Sequence, residues 1–415
     1  KCLAKGTPIM LSNGKIKNVE KIKVGDKLMG DDSTPRTVLS LARGREMMYD
    51  VIPTKGDKYT VNESHILSLR CSYGNGNKNY IKGKIIDIEV IDFLKLPKTI
   101  KNNLLKGYRV PIHFTKQKVE LDPYILGYWL GDGTSRSPEI TTIDEPVIKY
   151  FKMYCQEQGL FLKQGTERNH ISYRMSFGKN RKGISGSGGK NPVLNMLKLY
   201  NLINNKHIPY IYKCNSKSIR LELLAGIIDS DGYYNKGCYD IVQKNEKLLD
   251  DIIYVARSLG FAAYKKKCHK SCMYKGEKKT GTYYITSIHG HGIEYIPVKL
   301  ERKKASKRKQ IKNVLNTGIK LVKKEVDEYF GFEIDGNRRF VLGDFTVTHN
   351  TCLGLNIISR INLKTLIIVH KEFLLRQWIE RIEQFLPDAR VGKIQAQVID
   401  VEDKDIVICM LQSLS

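Results

Sequence analysis

The chain lacks any run approaching the ~18 consecutive apolar residues that carry a helix across a bilayer, so a membrane-spanning helix is not expected. Its N-terminus has no apolar signal-peptide core, which argues against secretion and for an intracellular protein. Its nine cysteines (2, 71, 155, 214, 238, 268, 272, 352 and 409) are odd in number and scattered rather than framework-spaced. A reduced intracellular chain therefore fits better than a disulfide scaffold. A complete phosphate-binding loop of the Gly-x4-Gly-Lys-Ser/Thr kind is missing as well. That absence weighs against a conventional nucleic-acid ATPase.

What is present is a globular composition, 41% hydrophobic and 27% charged over 415 residues, enough for two or three domains. The formal charge is +27, and it is unevenly placed. From Thr351 onward eight basic residues balance eight acidic ones, so the whole excess belongs to residues 1–350. It is dense at Lys265-Lys266-Lys267 and along Arg302-Lys303-Lys304 to Lys307-Arg308-Lys309. Any single run of this kind is commonly a solvated face, but an excess spread over a whole region attracts polyanions, nucleic acid above all.

Residues 1–115 alternate short apolar runs with Gly, Asn and Asp turns, as in Thr7-Pro8-Ile9-Met10-Leu11 followed by Ser12-Asn13-Gly14. Such texture predicts short strands, and it returns at 317–350 with Tyr329 to Ile334, a turn at Asp335-Gly336-Asn337, and Arg339 to Leu342. Between them, at 116–316, helices mix with strands. The economical reading is an all-β domain interrupted by an α+β insertion, with a separate segment at 351–415. Gly183 to Lys190, rich in Gly and Ser, reads as a flexible loop and not a phosphate cradle.

The insertion contains a repeat. Ile125-Leu126-Gly127-Tyr128-Trp129-Leu130-Gly131-Asp132-Gly133 lines up with Leu224-Ala225-Gly226-Ile227-Ile228-Asp229-Ser230-Asp231-Gly232. Each reads as a helix, the first with Asp122 as N-cap and Pro123 at the first helical position. Gly127 and Gly131, and likewise Gly226 and Ser230, fall on one face. Two such faces allow backbone-to-backbone approach about a pseudo-two-fold axis. Each helix ends in an acid, Asp132 or Asp231, then a glycine suited to a C-cap. A carboxylate is unfavourable at the negative end of a helix dipole, and two together repel. A divalent cation, Mg²⁺, shared by Asp132 and Asp231 would reverse both penalties and supply a phosphodiester-cleaving site. One such motif alone would read as a helix end with an exposed Asp-Gly turn, but two at this spacing would not.

These residues resemble the LAGLIDADG homing endonucleases, letter for letter over most of the second copy. The resemblance implies double-stranded DNA as partner, antiparallel sheets on its major groove, and a basic residue that assists cleavage. Lys206, in Asn205-Lys206-His207-Ile208-Pro209, fits the block for that lysine. At the equivalent place in the second repeat, before Ile296-Pro297, stands Glu294; Lys299 and Lys303 are the candidates for a second lysine. A DNA-binding module whose nuclease has decayed is the competing reading.

Lys1-Cys2 at one end and Val347-Thr348-His349-Asn350-Thr351 near the other carry a second chemistry. A thiol at Cys2 is placed to attack the preceding carbonyl. Asn350 has a side-chain amide that can cyclise on its own backbone, with His349 beside it for proton transfer. This arrangement resembles the splicing (Hint) domain of inteins. The resemblance implies thioester formation at Cys2, acyl transfer to Thr351, Asn350 cyclisation, and ligation of Lys1 to Thr351, with no cofactor. His65, in Val61-Asn62-Glu63-Ser64-His65, matches the histidine that polarises the first scissile bond. Asn62 replaces the usual Thr three residues earlier and keeps hydrogen-bonding capacity as a donor. Gly331 stands where many members have Asp or Cys, so no group is assigned to the middle step.

Beyond Thr351 a helical pattern over 351–356, an apolar strand at 365–370, an amphipathic helix through Leu375 to Ile379 and a strand at 406–409 predict a parallel α/β domain. The segment resembles a superfamily 2 helicase of large DNA viruses. In that family the phosphate loop ends Gly-Lys-Thr, and splicing would create Lys1-Thr351 as its ATP- and Mg²⁺-binding end. The implied partners are the host helicase flanks and the nucleic acid they act on, with no membrane and a monomeric chain, in the cytoplasm, nucleus or viral factory. Cys268, His269, Cys272, His289 and His291 fit no standard zinc spacing and are discounted as a metal site.

Overall fold

The computed structural model describes residues 2–74, 80–166, 171–177, 191–274, 277–307, 312–349, 358, 363–369 and 372–413. Lys1, Asn350, Thr351, the helical pattern at 351–356, the loop at 183–190, Arg308, Lys309 and the side chain of Cys272 lie outside that description.

The two β-rich stretches form one body. Strand Pro35–Pro53 runs antiparallel along Ile319–Ile334, from Ile319 opposite Pro53 to Ile334 opposite Val38. Leu3–Ala4 is inserted between Ile319–Ile334 and Tyr59–Asn62, which itself pairs with Pro35–Pro53. A second sheet orders Asn316–Thr317, Leu105–Tyr108, Ile66–Cys71 and Ile85–Glu89. Alternation along these strands sends Val38, Val51, Val61, Leu67, Leu69, Phe332 and Ile334 into a shared core. A final hairpin pairs Arg339–Val341 with Val347–His349. Pairing across nearly 300 residues of sequence places the end of the chain's β region beside its beginning.

The insertion is built on two helices, α1 (Pro123–Asp132) and α2 (Lys217–Asp231). Asp122 caps α1 by accepting from the Ile125 N–H at 2.9 Å. Every residue of α1 from Pro123 to Leu130 is buried, as expected of a helix that is apolar all round. A three-stranded sheet (Glu139–Thr141, Ser172–Ser176, Phe161–Gln164) follows α1. A four-stranded one (Gly232–Asn235, Cys238–Gln243, Glu277–Ile288, Lys266–Tyr274) follows α2. Helix α3 (Glu246–Ser258) packs behind the second sheet. Both repeats share one core.

Downstream, Thr365–Val369 and Val391–Gln395 both pair in parallel with Ile406–Met410. Leu375 and Ile382 of helix Glu372–Phe385 pack on them, the parallel α/β arrangement that the pattern predicts. No described helix is long and apolar enough to cross a membrane.

Candidate functional site

At the first junction Cys2 is buried, 1% exposed. Its backbone N–H, the amide of the bond to Lys1, donates to Asn62 Oδ1 at 2.7 Å, and Asn62 N returns a bond to Cys2 O at 3.2 Å. Asn62 Nδ2 donates to Ser64 Oγ at 3.0 Å and also to Glu46 Oε2. Asn62 thus donates, as expected, but to Glu46 and Ser64; at the scissile bond it accepts. Glu46 and Ser64 present oxygens to its amino group, so its carbonyl oxygen faces Cys2 as an acceptor. Burial pushes the Cys2 thiol above its ordinary value; Glu46 adds to that and Arg43 opposes it.

Gly331 lies directly against this thiol. A Cβ there would stand 2.2 Å from Cys2 Sγ, so a side chain at this position would have to displace the nucleophile. The turn from Asn62 to His65, closed by His65 N donating to Asn62 O at 3.0 Å, carries the histidine across to the C-terminal hairpin. His65 Nε2 and Thr348 Oγ1 are 2.7 Å apart. Thr348 and its neighbour His349 are both buried. The structure thus joins Cys2 to Asn62 and His65 to Thr348, the neighbour of His349; it also adds Glu46, Ser64 and Thr348, which sequence reasoning did not name. Only Thr348 carried a signal, its place beside His349.

The second constellation lies at the helix ends. A Cβ on Gly127 would fall 2.1 Å from Leu223 O, and one on Gly226 would fall 2.2 Å from Tyr124 O. The helices touch through their backbones at the positions the small residues predict. Gly133 and Gly232 cap the helix C-termini as expected, but with extended backbones (φ −85° and −82°) and not left-handed ones. They are glycine for space: a Cβ would lie 2.3 Å from Trp129 O and 2.7 Å from Ile228 O respectively.

This pairing brings Asp132 and Asp231 together at adjacent C-termini. Burial, then the charge of Asp231, lifts the Asp132 carboxyl to about 6. Burial also raises Asp231, opposed by Gln243, whose Nε2 donates to Asp231 Oδ2 at 2.5 Å, and by Lys206 and Lys303. Two half-buried carboxylates held above their ordinary range by partial burial and, at Asp132, by the charge of Asp231 suit a shared divalent cation. Among the described residues no cluster of three or more His, Cys, Asp or Glu ligands surrounds them, so backbone carbonyls, water or phosphate would complete such a shell.

Lys206 reaches this end of α1, donating to Gly131 O at 3.0 Å and Gly133 O at 2.7 Å. Burial lowers it to about 8 against the pull of Asp231 and Asp132. Lys303 does the same at α2, donating to Ile228 O at 2.9 Å and Asp229 O at 2.8 Å. Burial lowers Lys303 too. Of the candidates for a second lysine, Lys303 occupies the matching place. Lys299 lies instead over the rings of Tyr150 and Tyr124, 3.6 and 4.4 Å from their centroids. The basic run at 302–309 is partly committed inside the protein, since Arg302 is bidentate to Asp144 at 2.6 and 2.8 Å. Lys265, Lys266 and Lys267 are exposed.

Residues 2–118 match the family described as Hom_end-associated Hint, and residues 207–313 match the Homing endonuclease family. The chain is intein-like, a Hint domain with a homing-endonuclease domain. It is 24% identical over 390 residues to the replicative DNA helicase DnaB of Mycobacterium intracellulare, covering 88% of this chain and 61% of that one. It is 28% identical over 159 residues to the homothallic switching endonuclease of Saccharomyces cerevisiae, covering 34% of this chain and 27% of that one. The intein-like chain thus spans less than two thirds of either relative. Among solved structures, the gp41-1 intein aligns over 26% of this chain and 68% of its own at 16% identity, TM-score 0.19. Mesophilic variants of the homing endonuclease I-DmoI align over 40% and 87% at 16% identity, TM-score 0.27.

Proposed function

We propose that this intein-like chain excises residues 2–350 from its host by protein splicing, and that its inserted domain cleaves double-stranded DNA at a specific site. In the first step Cys2 Sγ attacks the Lys1 carbonyl carbon; the peptide C–N bond breaks, the Cys2 nitrogen gains the thiol proton, and a thioester forms. Asn62, accepting from the N–H of that bond, and His65 orient it. The Thr351 hydroxyl then takes the acyl group as an ester and returns the Cys2 thiol. The Asn350 side-chain nitrogen attacks its own carbonyl carbon, closing a succinimide and breaking the bond to Thr351, whose leaving nitrogen His349 protonates. The freed Thr351 amine attacks the ester and leaves an amide from Lys1 to Thr351.

The observation that carries this reading is the 2.7 Å approach of His65 Nε2 to Thr348 Oγ1, in a histidine three residues from the Asn62 that binds the Cys2 amide. Groups from both ends of the segment meet in one buried place. For the nuclease, Asp132 and Asp231 would hold a divalent cation, Mg²⁺ in the cell. When bound, it would neutralise both carboxylates, acidify an attacking water and stabilise charge on the phosphate. Lys206 and Lys303 would stand at the two half-sites to meet the developing charge, and the sheets with exposed Lys265 to Lys267 would contact phosphate and bases.

The host in this reading is a superfamily 2 helicase of a large DNA virus, interrupted inside its phosphate loop between Lys1 and Thr351. The parallel strands around Ile406–Met410 support an ATPase-type fold for the downstream flank. The spliced host would bind ATP and Mg²⁺, inside the cell. The test is expression with complete flanks. Asn350→Ala should stop at precursor or N-terminally cleaved product; ligated flanks in that variant would refute the mechanism. Divalent-dependent cutting of DNA carrying the uninterrupted host gene, lost in the Asp132→Asn/Asp231→Asn double variant, tests the nuclease. Binding without cutting in wild type would leave a decayed endonuclease.

A further inference from the structure

We propose that Tyr254, on α3 of the endonuclease domain, is a positioning residue for splicing: it holds the strained turn that feeds the strand Val347–His349. The inference rests on the splicing reading above and assigns part of the splicing centre to the other domain.

The hairpin ending in His349 turns through residues 342–346, where Phe345 has φ +74°. A bulky L residue rarely adopts that left-handed region, and such a conformation persists only where its surroundings over-determine it. Here they do. Phe345 N donates to Leu342 O at 2.9 Å, and Phe345 O accepts from Val110 N at 3.4 Å. Asp344 accepts from Thr346 N at 3.0 Å and faces the Arg109 guanidinium at 3.4 Å. The Phe345 ring meets the Tyr254 ring edge-on, centroids 5.0 Å apart at 66°. Three residues beyond Phe345 is Thr348, on His65.

Tyr254 is itself fixed. Its hydroxyl donates to Gly14 O at 2.8 Å, in a turn where Gly14 has φ +89° and where a Cβ would strike Cys214 Sγ at 2.5 Å and the Tyr254 hydroxyl at 2.8 Å. The surrounding contact is equally committed: Arg220, 1% exposed, donates to Ile112 O at 2.8 Å, and Arg109 donates to the Tyr264 hydroxyl at 2.8 Å. Among the contacts on Phe345 described above, the Tyr254 ring is the one the endonuclease domain supplies. Without it the turn can relax, and the strand it feeds shifts with His349, while the turn closed by His65 N on Asn62 O holds His65 in place. The Cys2 end is anchored differently, by Asn62 and by pairing of Leu3 with Phe330 and Val61. The Asn350 step should therefore suffer and the Cys2 step should not.

Tyr254→Leu and Tyr254→Phe, each in the chain with complete flanks, separate these steps. Cleavage by added thiol reads thioester formation at Cys2; release at Asn350 in a Cys2→Ala background reads cyclisation. Tyr254→Leu should slow release at least about tenfold, about 1.4 kcal/mol, while thiol cleavage stays within about twofold, as for a change remote from that site. Tyr254→Phe keeps the ring and should leave both within about twofold. Parallel loss of both steps in Tyr254→Leu, or loss of neither, would overturn the proposal. If wild type shows neither thiol cleavage nor release, it is the splicing reading that fails.

Discussion

Gly226→Ala is the sharpest perturbation of the helix pair. The added Cβ would lie 2.2 Å from Tyr124 O and 2.6 Å from Tyr128 N. Both are backbone atoms of α1, which no rotamer change can move aside. Contacts under 3.0 Å are essentially never seen for a Cβ, so the helices must part by about 1 Å, and overpacking of this kind typically destabilises by about 1–3 kcal/mol. Alanine's better helix propensity returns about 1 kcal/mol, leaving a net loss of up to about 2 kcal/mol. The effect on cleavage should be larger, because a displacement of about 1 Å between reacting groups can slow a reaction about a hundredfold. Single-turnover cleavage of target DNA and urea unfolding read the two quantities. Ser230→Ala is the control: among the described residues its hydroxyl bonds to the carbonyls of Gly226 and Ile227 in its own helix, both at 3.0 Å. Wild-type cleavage and unfolding midpoint in Gly226→Ala would refute backbone contact as the device that sets the carboxylate pair.

The Asp132 carboxyl sits at about 6 in the folded chain, above its ordinary 3.8, so its protonated form stabilises the fold. That stabilisation is whole below about pH 4 and is lost as pH rises through about 6, on the order of 2 kcal/mol after allowance for partial exposure. Urea unfolding in EDTA should show this decline between pH 4 and 7, and Asp132→Asn should flatten it. Lys206→Met and Lys303→Met should each slow cleavage of one DNA strand more than the other, by about 100-fold for a lost charge at the phosphate, so that nicked circles accumulate from a supercoiled target. Linear product formed at the wild-type rate would exclude a role for either lysine. Asn62→Ala removes the acceptor for the Cys2 N–H and should slow thiol-induced cleavage about tenfold, the scale of one buried hydrogen bond, with release at Asn350 little changed.

Much of this was legible in sequence because the decisive residues are local signals. Asp122-Pro123 announced a helix start, and the small residues four apart announced the face along which α1 and α2 touch. The alternation in Tyr329 to Ile334 showed a strand, but not that its partner begins near residue 38, since pairing across nearly 300 residues leaves no local trace. The second lysine stayed open between Lys299 and Lys303 for a similar reason. The place before Ile296-Pro297 that matches Lys206 holds Glu294, whereas Lys303 reaches its helix end from a turn that follows that motif. Gly133 and Gly232 show that a glycine after a helix has more than one physical cause: turn conformation was inferred, and space decides. The acceptor role of Asn62 depended on Glu46 and Ser64, visible only once the strands were paired.

The account as a whole depends on two distant peptide bonds being processed in one buried place. Intact-mass analysis of the chain expressed with complete flanks reads that directly. It predicts two species, a free Cys2–Asn350 segment ending in a succinimide or its hydrolysis product, and a host protein in which Lys1 is joined to Thr351 by an ordinary peptide bond. Stable precursor, or flanks released separately and never joined, from a chain with Cys2, His65, His349 and Asn350 intact would contradict it.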